Sequence, residues 1–349
     1  MITSSLSSMA FPSIPEGVAA VCERYPFRAG GYVCGLIRHR GDPIWKQIIP
    51  DVRELDDRDG LEDPLAEEDL SPVPNLVHRY PNRVLWLVSR ECVAHCRFCT
   101  RKRRWKRPVP MTGEMLDAGL EYIRNHGQIQ DVLLSGGDPL LLSPGRLEHI
   151  LASLRGIPHV GIIRIGTRVP VFSPQTVTPE LVRTLSRRHP LFMNLHFNHP
   201  WELTPEVAEA CRMLVEGGIP LGSQTVLLRG VNDEAGVLGE LFQGLLRFRV
   251  RPYYLMQMDL TRGTAHFRTP LARGIEILSQ LRNRISGLAM PQLVVDLPGG
   301  HGKVPLTPNW VEGRKEDRLI FRDYQGRQVF YPLLPGEGEE LGRWLGTRV

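Results

Sequence analysis

Long apolar runs are missing from this chain of 349 residues. None approaches the ~18 residues that a membrane-spanning helix needs. The first 20 residues carry a single charge, Glu16, and lack the basic start of a secretory signal. Cysteine is sparse: Cys22, Cys34, Cys92, Cys96, Cys99 and Cys211, with three of the six inside eight residues. That is too few and too uneven for a disulfide framework. The two absences together imply a cytoplasmic protein, in which clustered thiols bind metal or do redox work. No GxGxxG follows the first strand candidate, which removes the main support for a dinucleotide-binding sheet. The glycine run at 296–303 is no nucleotide phosphate loop either, because Leu297 stands at its first glycine position and Val304 follows the lysine. With 42% hydrophobic and 23% charged residues the chain is neither disordered nor membrane-embedded, and a net charge of +5 is too modest to imply nucleic acid without a patch.

What is present is alternation. Short apolar or β-branched runs at 83–89, 131–135, 161–168, 193–198, 222–228, 252–257 and 292–296 predict strands. Periodic segments around 114–126, 145–155, 179–188, 204–217, 234–247 and 271–285 predict helices between them. Ser143, Thr178 and Thr204, each followed by proline, read as helix caps. Strand and helix at roughly 30-residue spacing means parallel βαβ units curling into a full or partial barrel, with chemistry at the C-terminal ends of the strands. The expected organisation is a loosely structured N-terminal arm or helical region packing on the barrel over residues 1–80, a barrel over 81–303 and an extension over 304–349. That extension should form a hairpin turning at Gln325 and Gly326 and cover one barrel end. Within 51–69, ten of nineteen residues are Asp or Glu, which reads as a solvated, loosely structured stretch.

The first strand runs into Cys92, Cys96 and Cys99, a Cx3Cx2C spacing that puts three thiolates on one tight loop. They could hold three corners of a cubane cluster and leave the fourth iron open. Zinc competes, but a structural zinc site wants four ligands and His95 inside the loop is the one spare donor. The second strand ends in Ser135, Gly136, Gly137 and Asp138, where backbone can approach a ligand and a carboxylate can meet an ammonium; an ordinary strand-to-helix turn is the alternative. Lys303 ends the later glycine loop, from which it can reach a barrel mouth and form a Schiff base with an aldehyde cofactor, or merely sit on a surface turn. Residues 101–107 hold six basic residues interrupted by Trp105, which alone suggests RNA or a solvated basic face.

The cysteine spacing after the first strand resembles the radical S-adenosylmethionine superfamily, and the Gly136–Gly137–Asp138 turn is similar to the motif that holds the methionine amino group there. The resemblance becomes specific over residues 20–325. The runs YPFR (25–28), SPVPNLVHRYPNRVL (71–85), CRFCTRKRR (96–104), LLSGGDPLL (133–141), HFNHP (196–200), SQTVLLRGVND (223–233), RPYYLMQMDL (251–260), HFRTP (266–270) and VVDLPGGHGKVPLTPNW (294–310) resemble lysine 2,3-aminomutases in order and separation.

That resemblance implies an α/β fold, a partial (β/α)6-type radical SAM barrel, and an isomerase. The implied reaction moves the α-amino group of L-lysine from C2 to C3 through a pyridoxal phosphate aldimine, giving β-lysine. It implies a [4Fe-4S] cluster on Cys92, Cys96 and Cys99, S-adenosylmethionine at Ser135, Gly136, Gly137, Asp138, His196 and Gln224, and pyridoxal 5'-phosphate on Lys303 with Arg79, Tyr80 and Arg83. Arg101 would meet the substrate carboxylate, and Asp259 with Asp296 its distal ammonium, since two close carboxylates repel unless a cation lies between them. The remaining basic residues of 101–107 read as solvated. The implied partners are a small amino acid, an electron donor such as flavodoxin or ferredoxin, and other copies of the chain in a homo-oligomer, with no membrane and no nucleic acid. No cysteine follows Cys211, where family members of the free-lysine type often carry a zinc-binding cluster. The alternatives are the same chemistry on another basic amino acid or on a lysine attached to elongation factor P, or an RNA-binding iron-sulfur protein.

Overall fold

The computed structural model describes residues 17–106, 111–323 and 325–345. Its central sheet has nine strands, hydrogen-bonded in chain order. β1 (Leu76–Tyr80) lies antiparallel to β2 (Arg83–Ser89). From β2 onward, β3 (Asp131–Gly136), β4 (Ile162–Thr167), β5 (Leu191–His196), β6 (Leu221–Leu227), β7 (Val250–Gln257) and β8 (Gln292–Leu297) are parallel neighbours. β9 (Gly302–Pro305) then returns antiparallel to β8. Every strand expected from the alternating pattern is present, within two residues at most of its ends.

Side chains bridge the two edges of the sheet, so it curls into a nearly closed barrel. Arg79 on β1 pairs with Asp296 on β8 at 2.7 Å, and the backbone N–H of Lys303 on β9 donates to the Tyr80 hydroxyl on β1 at 3.0 Å. β1 and β9 thus belong to the barrel although both lie at or beyond the expected boundaries near 80 and 303.

Three short helices, α1 (Val18–Arg24), α2 (Gly31–Gly35) and α3 (Pro43–Ile48), precede the sheet. The strands are then connected by α4 (Gly113–Asn125), α5 (Pro144–Arg155), α6 (Val169–Phe172), α7 (Pro179–Ser186), α8 (Pro205–Glu216), α9 (Ala235–Arg247) and α10 (Leu271–Leu281). Thr178 and Thr204 cap α7 and α8 by accepting from the N–H groups of Leu181 and Val207. Ser143 stands at the cap of α5 without a capping bond, and Pro144, with its φ preset for the first helical position, starts that helix.

Alternation along the strands divides the molecule into an outer core and an inner cavity. On one face Val132, Leu134, Ile163, Ile165, Met193 and Leu195 are fully buried in the main core cluster, which also holds Leu147, Leu151, Leu214 and Leu245 of the surrounding helices. On the other face Ser135, Arg164, Gly166, Asn194, His196, Gly222 and Gln224 line a cavity of about 870 Å³. A filled barrel would put branched apolar residues there. Polar and glycine positions keep this one hollow.

Two sequence expectations are corrected. Residues 18–55 are not a loose arm, because Val18, Val21, Cys22, Ile44 and Ile48 are buried and several of them join the main core. The acidic stretch is only partly solvated: Asp56, Asp59, Glu62, Glu68 and Asp69 are exposed, but Glu54 and Glu67 are each 1% exposed, and Asp57 is buried where it accepts from the backbone N–H groups of Gly60, Thr264 and Ala265. A count of charges cannot distinguish carboxylates facing water from carboxylates facing buried arginines.

In the extension, β11 (Arg318–Arg322) and β12 (Gln328–Pro332) form the expected hairpin, with Gly326 at φ +83° in its turn. β10 (Val311–Lys315), which the sequence pattern had not marked, adds a third antiparallel strand.

Candidate active site

The loop after β2 carries Cys92, Cys96 and Cys99, and all three line the cavity. The loop is held from behind by buried charge. Arg97, fully buried, donates to both Glu54 oxygens, at 2.9 and 2.7 Å, and to the carbonyls of Tyr25 and Pro26. Lys102 Nζ donates to Glu54 at 2.7 Å and to the carbonyls of Arg97 and Gly263. One carboxylate from the N-terminal segment therefore fixes both ends of the second half of the loop. Burial raises the Glu54 carboxyl, but Arg97 and Lys102 outweigh it and hold the group below its ordinary range.

The residues fit an iron-sulfur cluster. Burial first, and the neighbouring thiols second, push the Cys92 thiol well up and Cys99 to about 11. Such a set ionises together only around a strongly cationic centre. His95 is already committed: its Nδ1 is 2.8 Å from the Pro26 carbonyl, its ring stacks on Trp105 at 4.4 Å, and burial lowers its pKa to about 4.

Beside the loop, β3 ends at the glycine turn. Gly136 has φ +124°, and a Cβ there would stand 2.1 Å from the Ser89 carbonyl oxygen; one on Gly137 would stand 2.2 Å from that of Glu91. Both glycines let β3 lie against the start of the cysteine loop, open to the cavity. Asp138, expected to meet an ammonium, is fully engaged by the protein. Its Oδ1 accepts from Leu140 N–H and Thr167 Oγ1, and its Oδ2 from the N–H groups of Arg168 and Val169. Burial raises its pKa to about 6 against those four donors. His196 and Gln224 stand side by side on β5 and β6. The His196 ring lies 5.5 Å from Phe98 of the cysteine loop, with its pKa lowered to about 3 by burial and then by Arg168.

On the far wall, the β8–β9 ladder sets Asp296 directly opposite Lys303. The lysine ammonium is ion-paired with that carboxylate, whose other oxygen takes Arg79. The Arg83 guanidinium lies over the Tyr80 ring, 3.9 Å from its centroid, and both line the cavity. Asp259, just after β7, faces the same group. Burial and then the Asp296 charge raise it to about 7, while Lys303 and Arg79 act the other way. An aldehyde cofactor with a phosphate fits this wall: a half-buried lysine amine and two guanidiniums surround one space.

Arg101 reaches the cavity between the two walls. Glu67 holds its guanidinium, accepting from Nη2 at 2.6 Å and from Nε at 3.0 Å, while Nη1 is 3.4 Å from Ser135 Oγ and from the Gly136 carbonyl. Of the rest of the basic run, Lys106 is exposed as expected, but Lys102 and Arg103 are not a solvated face. Lys102 is 2% exposed, and Arg103 pairs with Asp63, Glu67 and Glu68. The excess positive charge of 101–104 is met by the acidic stretch, which takes away the footing of the RNA reading; Arg107 lies outside the described residues.

Sequence reasoning missed Glu54 and Glu67, and also Gln47, Arg168 and Glu202. Arg168, at the end of β4, places Nη1 2.8 Å from Cys96 Sγ and Nη2 2.6 Å from Gln47 Oε1 and 3.1 Å from Glu202 Oε1. Its place after a strand that ends in Gly-Thr was the one available signal, because active groups in such barrels gather at strand C-termini.

Comparison with known proteins agrees with this geometry. Residues 86–238 match the model of the Radical SAM superfamily, and residues 278–337 match that of Lysine-2,3-aminomutase. The chain is 50% identical to an L-lysine 2,3-aminomutase of Clostridium subterminale over 89% of its own length and 76% of the relative's. It is 44% identical to the L-lysine 2,3-aminomutase of Bacillus subtilis over 91% of its length and 68% of that protein. A glutamate 2,3-aminomutase of Clostridioides difficile is 40% identical over 82% of this chain and 68% of its own.

Proposed function

The chain belongs to the lysine 2,3-aminomutase family of radical SAM enzymes, and from that membership we propose that it converts free L-lysine to β-lysine by moving the α-amino group from C2 to C3. The observation that carries the substrate choice is the carboxylate pair, Asp259 and Asp296, in one cavity. The Asp259 pKa of about 7 reflects a buried site short of positive charge, and a substrate bearing a distal ammonium supplies it. A substrate with a distal carboxylate would add a third like charge.

When bound, the cluster, S-adenosylmethionine and pyridoxal phosphate supply respectively the electron, the hydrogen-abstracting radical and the electron-delocalising ring. The chain's own residues position and insulate them. Cys92, Cys96 and Cys99 hold the cluster. Gly136 and Gly137 offer backbone to the methionine end, with His196 and Gln224 beside it. Lys303 takes the aldehyde of pyridoxal phosphate, while Arg79 and Arg83 offer cations for its phosphate and Tyr80 shapes the wall. Arg101, steadied by Glu67, offers Nη1 to the substrate carboxylate in exchange for its long contacts, both 3.4 Å, to Ser135 and Gly136. Enclosure within the barrel excludes water from this chemistry.

The electron comes from a low-potential carrier of the flavodoxin or ferredoxin kind in the cytoplasm. The chain works as a homo-oligomer, a reading supported by the exposed apolar residues Val329, Phe330 and Tyr331 on β12. No helix of the described residues is long and apolar enough to cross a membrane.

Anaerobic turnover of the reconstituted enzyme with L-lysine, L-glutamate, L-arginine, lysine amide and lysylated elongation factor P tests the proposal. β-Lysine from the free amino acid is expected. Preference for glutamate would overturn the role of the aspartates, and preference for the amide or the protein would overturn the free-lysine assignment.

A further inference from the structure

The Arg168 side chain reaches the cysteine loop from the end of β4 and touches Cys96. We propose that Arg168, set in place by Gln47 and Glu202, is a positioning residue that tunes the reduction potential of the cluster through Cys96. The inference rests on the cluster site proposed above.

Four observations lead there. First, Arg168 Nη1 donates toward Cys96 Sγ at 2.8 Å, so a fixed cation and a hydrogen bond act on one ligand sulfur. Second, the guanidinium is held through both Nη atoms and from beneath, while its buried Nε has no hydrogen-bond partner. Nη2 is held by Gln47 and Glu202, the ring of Phe172 lies 3.7 Å beneath it, and Asp138 accepts from the Arg168 backbone N–H. Third, Gln47 links this group to the loop itself. Its side-chain oxygen accepts from Arg168, while its backbone carbonyl accepts from the N–H of Arg97, the residue after Cys96. Fourth, Glu202 is fully buried, and its other contacts are to Gln47 Nε2 at 2.9 Å and the Asn198 N–H at 2.8 Å, so its charge is directed at Arg168.

The physical consequence follows from charge. One-electron reduction adds negative charge to the cluster and its sulfurs. A guanidinium against one of those sulfurs stabilises the reduced form more than the oxidised form, and the low-dielectric surroundings reduce screening. Hydrogen bonds to cluster sulfurs are among the means by which a protein sets such potentials. Glu202 opposes the effect, so the pair defines the potential from two sides: removing the cation lowers it, and neutralising the anion raises it.

The test is an anaerobic redox titration of the reconstituted protein followed by electron paramagnetic resonance, with dithionite or a photoreduced flavin as reductant. The unsubstituted chain is measured first; no reducible cluster signal there would sink the cluster site itself, a separate failure. In R168Q the reduced-to-oxidised ratio at a fixed potential should fall at least tenfold, a shift of about 59 mV for one electron. R168K, which keeps the charge, should recover most of that loss. E202Q should shift the ratio the other way and gives a second measurement if R168Q fails to hold its cluster. S-adenosylmethionine affinity should stay within threefold in all three variants. An unchanged potential in a cluster-bearing R168Q overturns the proposal. So does an unchanged potential in E202Q, or a tenfold loss of S-adenosylmethionine affinity in R168Q at constant potential, which would make Arg168 a cofactor-binding side chain instead.

Discussion

Lys303 and Asp296 are register partners across the β8–β9 ladder, and the ammonium of one is ion-paired with the carboxylate of the other. Asp296 also holds Arg79 from β1, so a single carboxylate ties the lysine to the seam that closes the barrel. The lysine is thereby aimed into the cavity from a strand, a firmer mount than a free glycine loop. Borohydride reduction of the pyridoxal phosphate-loaded enzyme, followed by peptide mapping, should place the label on Lys303. K303A should carry no label and no activity. A label on another lysine would end this assignment.

The two aspartates should contribute unequally. Asn at 259 removes one charge-assisted contact to the substrate ammonium, worth about 1.5–3 kcal/mol, and should raise KM by roughly 10- to 150-fold. Asn at 296 also releases Arg79 and Lys303, so it should lower pyridoxal phosphate affinity as well as substrate affinity. The double variant should lose more than either, because the ammonium would be desolvated with no anion beside it. Steady-state kinetics and cofactor titration separate these effects.

Substrate binding should weaken in acid through Asp259. Burial and the Asp296 charge lift its pKa to about 7, so below that pH the carboxyl is neutral and offers the ammonium no charge. The kcat/KM for L-lysine should therefore fall as pH drops below about 7 and level off above it. D259N should flatten that limb of the profile. An unchanged limb in D259N would assign the titration to another group.

Glu54 should be a keystone of stability. It is 1% exposed and pairs with Arg97 and Lys102, both of them buried. Removing one partner of a buried ion pair costs about 3–5 kcal/mol, because the remaining charge is left without compensation. E54Q should show a loss of that order in denaturant melts and a poor cluster yield. Its carboxyl is held below the ordinary value, so the stabilisation is present above the unfolded-state pKa of about 4.3 and is lost as pH falls through the lower folded-state value. The unsubstituted protein should lose stability over that acid range, and E54Q should lose less.

How much of this was legible in sequence follows the range of each interaction. The strands, helices, threonine caps and hairpin turn depend on neighbours a few residues away, and the Cx3Cx2C spacing is itself a local geometry. The sequence determined these, together with the glycine pair of β3 and the lysine of β9. Only the tertiary structure decided what the charges do. Glu54 meets Arg97 across 43 residues, Glu67 meets Arg101 across 34, and Arg168 meets Gln47 across 121. Whether a carboxylate lies in water or against a guanidinium depends on which strand ends the barrel brings together. The acidic and basic runs each resemble a solvated surface, yet Glu54, Glu67, Arg101 and Lys102 neutralise one another beside the cysteine loop because the fold buries those members of the two runs together.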